Sequence, residues 1–317
     1  MKIIGKDIRC GSCVATIGFF DGVHCGHRFL IGRVAEEAHR RNLQSVLVTF
    51  ANHPLTVVRE GFRPQLITTL DEKERLLSAT EADAAVVLDF TPELARLTAR
   101  DFIFNILRDR LHVKVLVIGY DHRFGHNRNE GFEDYVRYGR EAGIEVVRAE
   151  GLTDDNDMAV SSSLIRQCLQ ESDIEEANKL LGYKFFIEGT VVGGFRVGRK
   201  IGYPTANISV SSDEKLIPGN GVYVVRVTMK QEDGALDEES AAATSYLGMM
   251  NIGCRPTFAN GNDRTIEVHL LDFSGNLYCH RLHIDFVAFV RKERKFDSVE
   301  QLQLQLEQDE CFCRRFL

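Results

Sequence analysis

VATIGFFDGVHCGHRFLIGRV, residues 14–34, decides the first half of the fold. An apolar run rich in β-formers leads into Gly18, and glycines at 18, 22 and 26 surround His24 and His27 before an amphipathic stretch begins. Strand, glycine-rich turn and helix in that order form a phosphate-receiving geometry. Small residues let the backbone approach a ligand, and the first amides of the helix, with its dipole, favour negative charge. Two histidines three positions apart at the helix start can both donate hydrogen bonds to a polyphosphate. Zinc is the weaker reading of the pair, because no third ligand sits nearby in sequence.

Outward from this stretch, residues 14 to about 150 alternate β-rich apolar runs (VATIGFF, SVLVTF, AAVVL, KVLVIGY, IEVVRA) with helical segments such as DEKERLLSA and ARDFIFNILRDRL. Alternation of this kind predicts a parallel sheet with helices on both faces, whose ligands bind beyond the carboxyl ends of the strands. Beyond about residue 183 the runs FFIEGTVVG, GVYVVRVTMK, YLGMMNIG, TIEVHLLDF and RLHIDFVAFV follow one another without helices, so an antiparallel barrel or sandwich is expected. Leucines at helical spacing in SVEQLQLQLEQDECFCRRFL predict a C-terminal helix packed on it. LIRQCLQ and DIEEANKLLG read as two short connecting helices, and Gly182 fits the position just after a helix, so the boundary is set there: 1–182 and 183–317. The acidic stretch QEDGALDEES, 231–240, reads as a solvated hairpin loop.

A chain of 317 residues exceeds what one core usually organises, and 44% apolar with 27% charged residues is ordinary for a globular protein. No apolar run is long enough for a membrane helix and the start lacks a signal-peptide core, so a cytoplasmic protein with no membrane partner is expected. A net charge of −7 opposes a sequence-independent grip on nucleic acid, which depends on a basic surface. Eight scattered cysteines read as reduced thiols.

HxGH after the first strand resembles the signature of the nucleotidylyltransferase superfamily, and GFFDGVHCGH looks like its FAD synthetase branch. VSSSLIR, 160–166, resembles the SSTxIR motif of the same superfamily. The resemblance implies a Rossmann-like α/β domain in which Gly18, Phe19, Asp21, Gly22 and Gly26 bind ATP. Ser162 and Ser163 would cap a helix and, with Arg166, hold the ATP phosphates. The attacking group would be the FMN phosphate, already anionic and needing no general base. His24, His27 and Arg166 would offset the charge growing as pyrophosphate leaves, together with Mg²⁺. TFANHP, 49–54, and GYDHRFG, 119–125, also resemble FAD synthetase segments, which implies flavin or nucleotide contacts from Asn52, His53, Pro54, Asp121, Phe124 and Gly125.

In the second half, GTVVGGFRVGRKIGYPTANI, 189–208, gathers glycines and basic residues in one loop, a composition suited to a phosphate cradle but with neither P-loop nor dinucleotide spacing. Thr205 and Asn207 carry hard oxygens of the kind that bind Mg²⁺. The run resembles the PTAN motif of riboflavin kinases, and the likeness continues through PGNGVYVV, GMMNIGCRPTF, TIEVHLLDF and RKERKF. It implies a six-stranded kinase barrel with a C-terminal helix. Gly189, Gly193, Lys200, Gly202 and Pro204 would face ATP, Thr205 and Asn207 the metal, Arg255 and Arg291 the flavin. Glu267 would be the base for the ribityl 5′-hydroxyl.

The domain order is that of bacterial bifunctional riboflavin kinase/FAD synthetases, with riboflavin, FMN, FAD and ATP as ligands and the oligomeric state open. Four positions depart from the pattern: Ser163 for threonine, His122 for an aromatic residue, and Asn276 and Cys279 for aspartate and glycine. Two rival readings are a chain with one live activity and a flavin-binding protein without turnover. His24, His27 and Glu267 argue against both, since flavin binding alone would not require them.

Overall fold

The computed structural model describes residues 2–4, 11–119, 123–126, 130–150, 159–193, 198, 201–230, 245–255 and 263–317. The chain divides into two compact units, Met1–Ser162 and Ser163–Leu317.

The first unit is a parallel sheet of six strands: β1 (Lys2–Ile4), β2 (Cys13–Ile17), β3 (Gln44–Phe50), β4 (Ala84–Leu88), β5 (Val113–Ile118) and β6 (Glu145–Arg148), in the order β1-β4-β3-β2-β5-β6. The five expected runs form β2 to β6. β1 is an addition that three residues could not signal. Helices intervene as the alternation predicts: α1 (Cys25–Arg40), α2 (Pro54–Val58), α3 (Leu70–Ser78), α4 (Pro92–Ala95), α5 (Ala99–Asp101) continuing into a π-helical segment (Phe102–Arg108), and α6 (Phe132–Ala142). Both faces of the sheet are covered, so its central strands are largely apolar, with Thr16, Ser45 and Thr49 as buried polar exceptions. Ala15, Val48, Val86 and Leu116 pack with Phe102, Ile103 and Leu107 on one face, while Val14 and Val115 pack with Val34 and Ala38 of α1 on the other. The strand order reverses at β2, which lies between β3 and β5, and this places the ligand-binding crevice beyond the end of β2.

α7 (Ser162–Gln170) starts on the last residue of the first unit, and the second unit runs from Ser163 through α8 (Ile174–Leu181) into a closed antiparallel barrel. Its strands are β7 (Phe186–Val192), β8 (Ala206–Val210), β9 (Gly221–Lys230), β10 (Ser245–Arg255), β11 (Asp263–Leu270) and β12 (Arg281–Arg291), ordered β10-β11-β8-β7-β12-β9. Gly182 ends α8 in the left-handed conformation, φ +75°, as its sequence position suggests. The division in contacts nevertheless falls at Ser162, ahead of Gly182, because the connecting helices dock on the barrel. Asn178 donates to the Phe286 carbonyl and accepts from the Phe185 amide, and the Tyr223 hydroxyl reaches Ser172 Oγ.

The C-terminal helix, α9 (Val299–Cys313), is present, but its most buried side chains are Gln305, Asp309 and Cys313 rather than leucines. Leu304 stays 60% exposed. The reason is a buried ion pair: Arg291 on β12 needs the Asp309 carboxylate, at 2.7 Å, and this sets the rotation of the helix.

Outside the barrel wall, His283 stands between Glu188 Oε1 at 3.2 Å and Asp285 Oδ1 at 3.3 Å. Burial pulls the His283 pKa down, and its bonds to Asp285 and Glu188 outweigh that, so the net direction is up. A base whose folded pKa is raised adds stability below its unfolded pKa and loses it as pH rises through the folded value. Thermal unfolding should therefore show a stability that declines as pH rises above the ordinary histidine pKa of about 6.5, a decline that His283→Gln removes.

Candidate functional site

The turn between β2 and α1 is strained, with positive φ at Phe20 (+55°), Gly22 (+81°) and Val23 (+39°). For the two non-glycine residues this costs about 1–3 kcal/mol each, and the surroundings must hold it. Asp21 does so. Its buried carboxylate accepts hydrogen bonds from the amides of Ile67 (3.1 Å) and Thr68 (3.0 Å), and the Gly22 amide donates to Thr68 Oγ1. The turn delivers His24 as the N-cap of α1, its Nδ1 accepting from the His27 amide, with the two imidazoles stacked 3.6 Å apart.

Gly26 lets a distant segment close on this turn, since a Cβ there would lie 3.1 Å from the Val160 carbonyl oxygen. Next to it, Ser162 Oγ donates to the Asp21 carbonyl at 2.9 Å. The GFFDGVHCGH and VSSSLIR motifs are thus joined. The hydroxyl of Ser162 is used on the turn and not as the cap of α7, because the helix already starts at Ser162. Ser163 and Arg166 follow in the first turns of α7.

Beside the end of β2 lies a mostly apolar cavity of about 310 Å³, lined by Phe19, Pro54, Phe90, Phe102, Phe124 and Gly125 among others. Phe124 stacks on Tyr135 at 4.4 Å, and Gly125, at φ +96°, packs so closely that a Cβ would sit 2.6 Å from the Ala99 amide nitrogen. His53 caps α2 and sets its ring edge against Phe19 at 4.8 Å. Asn52 pins the end of β3 to that of β4 by exchanging two bonds with the Phe90 backbone. Gly18 is needed under the Phe20 ring, where a Cβ would approach within 2.9 Å.

In the barrel, Thr205 lines two cavities. One, of about 470 Å³, is also bordered by Gly202, Pro204, Asn207, Phe273 and Tyr278; the other, of about 320 Å³, by Met249, Asn251, Glu267 and Arg291. Thr205 Oγ1 donates to Glu267 Oε2 at 3.0 Å. Glu267 pairs with Asn207 across β11 and β8, so their side chains share one face of the sheet. Tyr203 walls the second cavity, its hydroxyl pushed up to about 12 by burial and by the charge and hydrogen bond of Glu310.

A model of the FAD synthetase family matches residues 7–164, and a model of the riboflavin kinase family matches 181–317. The bifunctional riboflavin kinase/FMN adenylyltransferase of Listeria monocytogenes is 37% identical over 96% of this chain and 92% of its own. Its Escherichia coli K12 counterpart is 36% identical over the same shares. The chain belongs to the bifunctional riboflavin kinase/FMN adenylyltransferase family. A crystal structure from Streptococcus pneumoniae, named a macrolide-efflux protein, has a TM-score of 0.86 and 31% identity over 99% of both chains. Among the described residues no helix is long and apolar enough to cross a membrane.

Within this riboflavin kinase/FMN adenylyltransferase fold, several residues singled out from sequence have structural tasks. Gly189 lies inside β7 and lines neither barrel cavity; a Cβ there would come within 2.7 Å of the Ser209 carbonyl oxygen. Gly193 is exposed just beyond β7. Asp121, His122 and Lys200, and the side chain of Arg255, lie outside the described residues. Cys279 adopts φ +65°, a conformation that glycine takes without strain, and Asn276 lines the 470 Å³ cavity while accepting from the Tyr278 amide. Among the described residues, Cys168, Cys254, Cys279, Cys311 and Cys313 are reduced thiols, and the Cys13 thiol donates to the Leu111 carbonyl. Sequence reading missed Phe90, in the loop after β4, and Phe102, in the π-helical segment, because nothing local marks an aromatic as cavity wall rather than core.

The Arg291 guanidinium faces the second cavity but is held by both carboxylate oxygens of Asp309, which Gln305 also contacts at 2.6 Å. Asp309→Ala leaves a largely buried cation unpaired and should lower the unfolding free energy of the barrel by about 3 kcal/mol in a denaturant titration followed by barrel tyrosine fluorescence.

Proposed function

We propose that the barrel phosphorylates riboflavin with Glu267 as base and that the α/β unit adenylylates the resulting FMN with His24 and His27 as charge stabilisers. The activities meet, in sequence, at Gly182: residues 1–182 make FAD and 183–317 make FMN. Both consume ATP, so a cytoplasmic setting suits them.

The observation that carries the kinase reading is the Thr205–Glu267 hydrogen bond at the wall shared by two cavities. ATP would occupy the larger cavity beside Gly202, Pro204 and Asn207, and the isoalloxazine and ribityl groups the smaller one. A neutral alcohol is a poor nucleophile, so a base is required. Glu267 takes the proton of the ribityl 5′-hydroxyl as its oxygen attacks the γ-phosphorus, and the bond to the ADP oxygen breaks. Thr205 Oγ1 fixes the carboxylate beforehand. Thr205, just before β8, and Asn207, within it, offer hard oxygens two positions apart and next to a carboxylate, a donor set that fits Mg²⁺. Bound there, the ion would neutralise phosphate charge. Arg291 and Arg255 belong to the flavin side, Arg291 through the wall it forms with Asp309, while Lys200, Gly189 and Gly193 stay with the ATP side by motif alone.

For adenylyl transfer, an FMN phosphate oxygen attacks the α-phosphorus and pyrophosphate departs. No proton need be removed, so alignment and charge stabilisation suffice. The stacked His24 and His27 at the start of α1, with the helix amides, suit the phosphate charge, and the apolar cavity with Phe19, Pro54 and Phe124 suits the flavin ring. Ser163 and Arg166 are assigned to the ATP phosphates by their motif. Asp121 is assigned to the flavin in the same way.

The test follows flavins over time with riboflavin and MgATP, separated chromatographically. Glu267→Gln should slow FMN formation at least about 100-fold while supplied FMN still becomes FAD. His24→Ala should slow FAD formation about 100-fold and let FMN accumulate. FMN formation at the normal rate by Glu267→Gln would remove the base from the mechanism.

A further inference from the structure

Lys73, on the first turn of α3, is 2% exposed, and its ammonium is deep in the α/β unit. It donates to the Phe50 carbonyl at 2.7 Å and the Phe19 carbonyl at 3.2 Å, and lies 4.2 Å from the centre of the Phe19 ring. Burial pulls its pKa down to about 8, against the pull of Asp21 and Glu74. Burying an ammonium is expensive, and a neutral residue would serve ordinary packing at less cost. Its two acceptors are what set it apart. Phe50 closes β3, and Phe19 follows β2 by two residues, so Lys73 fastens the carboxyl ends of the two strands that flank the crevice.

The segment that carries Lys73 is itself a splint for the strained turn. Ile67 and Thr68 hold the Asp21 carboxylate, Thr69 and Glu72 form a reciprocal cap that fixes the start of α3, and Lys73 follows directly. Thr49 Oγ1 also donates to the Phe19 carbonyl, at 3.2 Å. In a trans peptide the carbonyl and the next amide point opposite ways, so fixing the Phe19 carbonyl also fixes the Phe20 amide, at the residue where φ is +55°. Four residues on, the same turn presents His24.

We infer that Lys73 is a positioning residue for FMN adenylylation: its ammonium bridges the Phe19 and Phe50 carbonyls and so holds the Phe19–Val23 turn in the strained form that presents His24 to ATP. This rests on the assignment of His24 and His27 to adenylyl transfer. Lys73 touches no reacting atom in this scheme. Its loss should therefore appear in kcat and not in the binding of FMN.

Riboflavin phosphorylation by the barrel of the same chain calibrates the amount of intact enzyme, and an unchanged KM for FMN reports a folded α/β unit. In full-length Lys73→Met, kcat for FAD formation should fall about 30-fold with KM for FMN within about threefold of wild type, while riboflavin phosphorylation is unchanged. Lys73→Arg keeps two donors and should recover at least about fivefold over Lys73→Met. Thr49→Val, which keeps the shape and removes only the second donor to Phe19, should lower kcat about threefold and covers the case in which Lys73→Met does not fold. A Lys73→Met enzyme with wild-type kcat, no gain in Lys73→Arg, or unchanged turnover in Thr49→Val overturns the inference. If His24→Ala loses FAD formation while Lys73→Met keeps it, only the positioning role falls; if His24→Ala keeps it too, the site assignment itself is wrong.

Discussion

The buried carboxylate of Asp21 is the interaction on which the α/β site depends. A turn with Phe20, Gly22 and Val23 all at positive φ does not hold itself. Asp21 spends its oxygens on backbone amides of residues 67 and 68, and its carbonyl takes the Ser162 hydroxyl. One residue therefore links the β2–α1 turn to the segment before α3 and to the start of α7. The histidine pair inherits its position from that junction, and the start of α1 is held in place from three segments of the chain.

The barrel meets a similar requirement with side chains paired across strands. Glu267 and Asn207 stand opposite each other because β11 and β8 are in register, and Thr205 reaches Glu267 from two positions before Asn207. The far wall is fixed by α9, where Asp309 holds Arg291 and Glu310 contacts Tyr203. The two units differ in the chemistry this rigidity serves. An alcohol nucleophile needs a carboxylate to take its proton, whereas an anionic phosphate needs only positive charge and alignment. In the proposed scheme a glutamate in one unit and histidines in the other would answer those separate demands.

Much of the fold was legible because it rests on local signals. Five of the parallel strands, the barrel runs, the helix stop at Gly182 and the glycine-rich turn all arise from residues close together in the chain. The short β1, the polar seam of α9 and the packing role of Gly189 were not, since each depends on a neighbour remote in sequence. For Gly189 that neighbour is Ser209, and for Asp309 it is Arg291. Ser162 shows the same limit: its type suggested a helix cap, and only the approach of Asp21, 141 positions away, assigns its hydroxyl to the turn.

By itself, the sequence determined two folding units and the residue types each chemistry requires, because hydrophobic period, glycine placement and motif spacing act over a few residues. Tertiary structure alone decided which backbone groups the buried polar side chains hold. Asp21, Asn52 and Lys73 look alike in sequence to ligand-binding residues, and each hydrogen-bonds backbone groups that the fold brings near. A buried polar group must find a partner, and the partner is set by the fold.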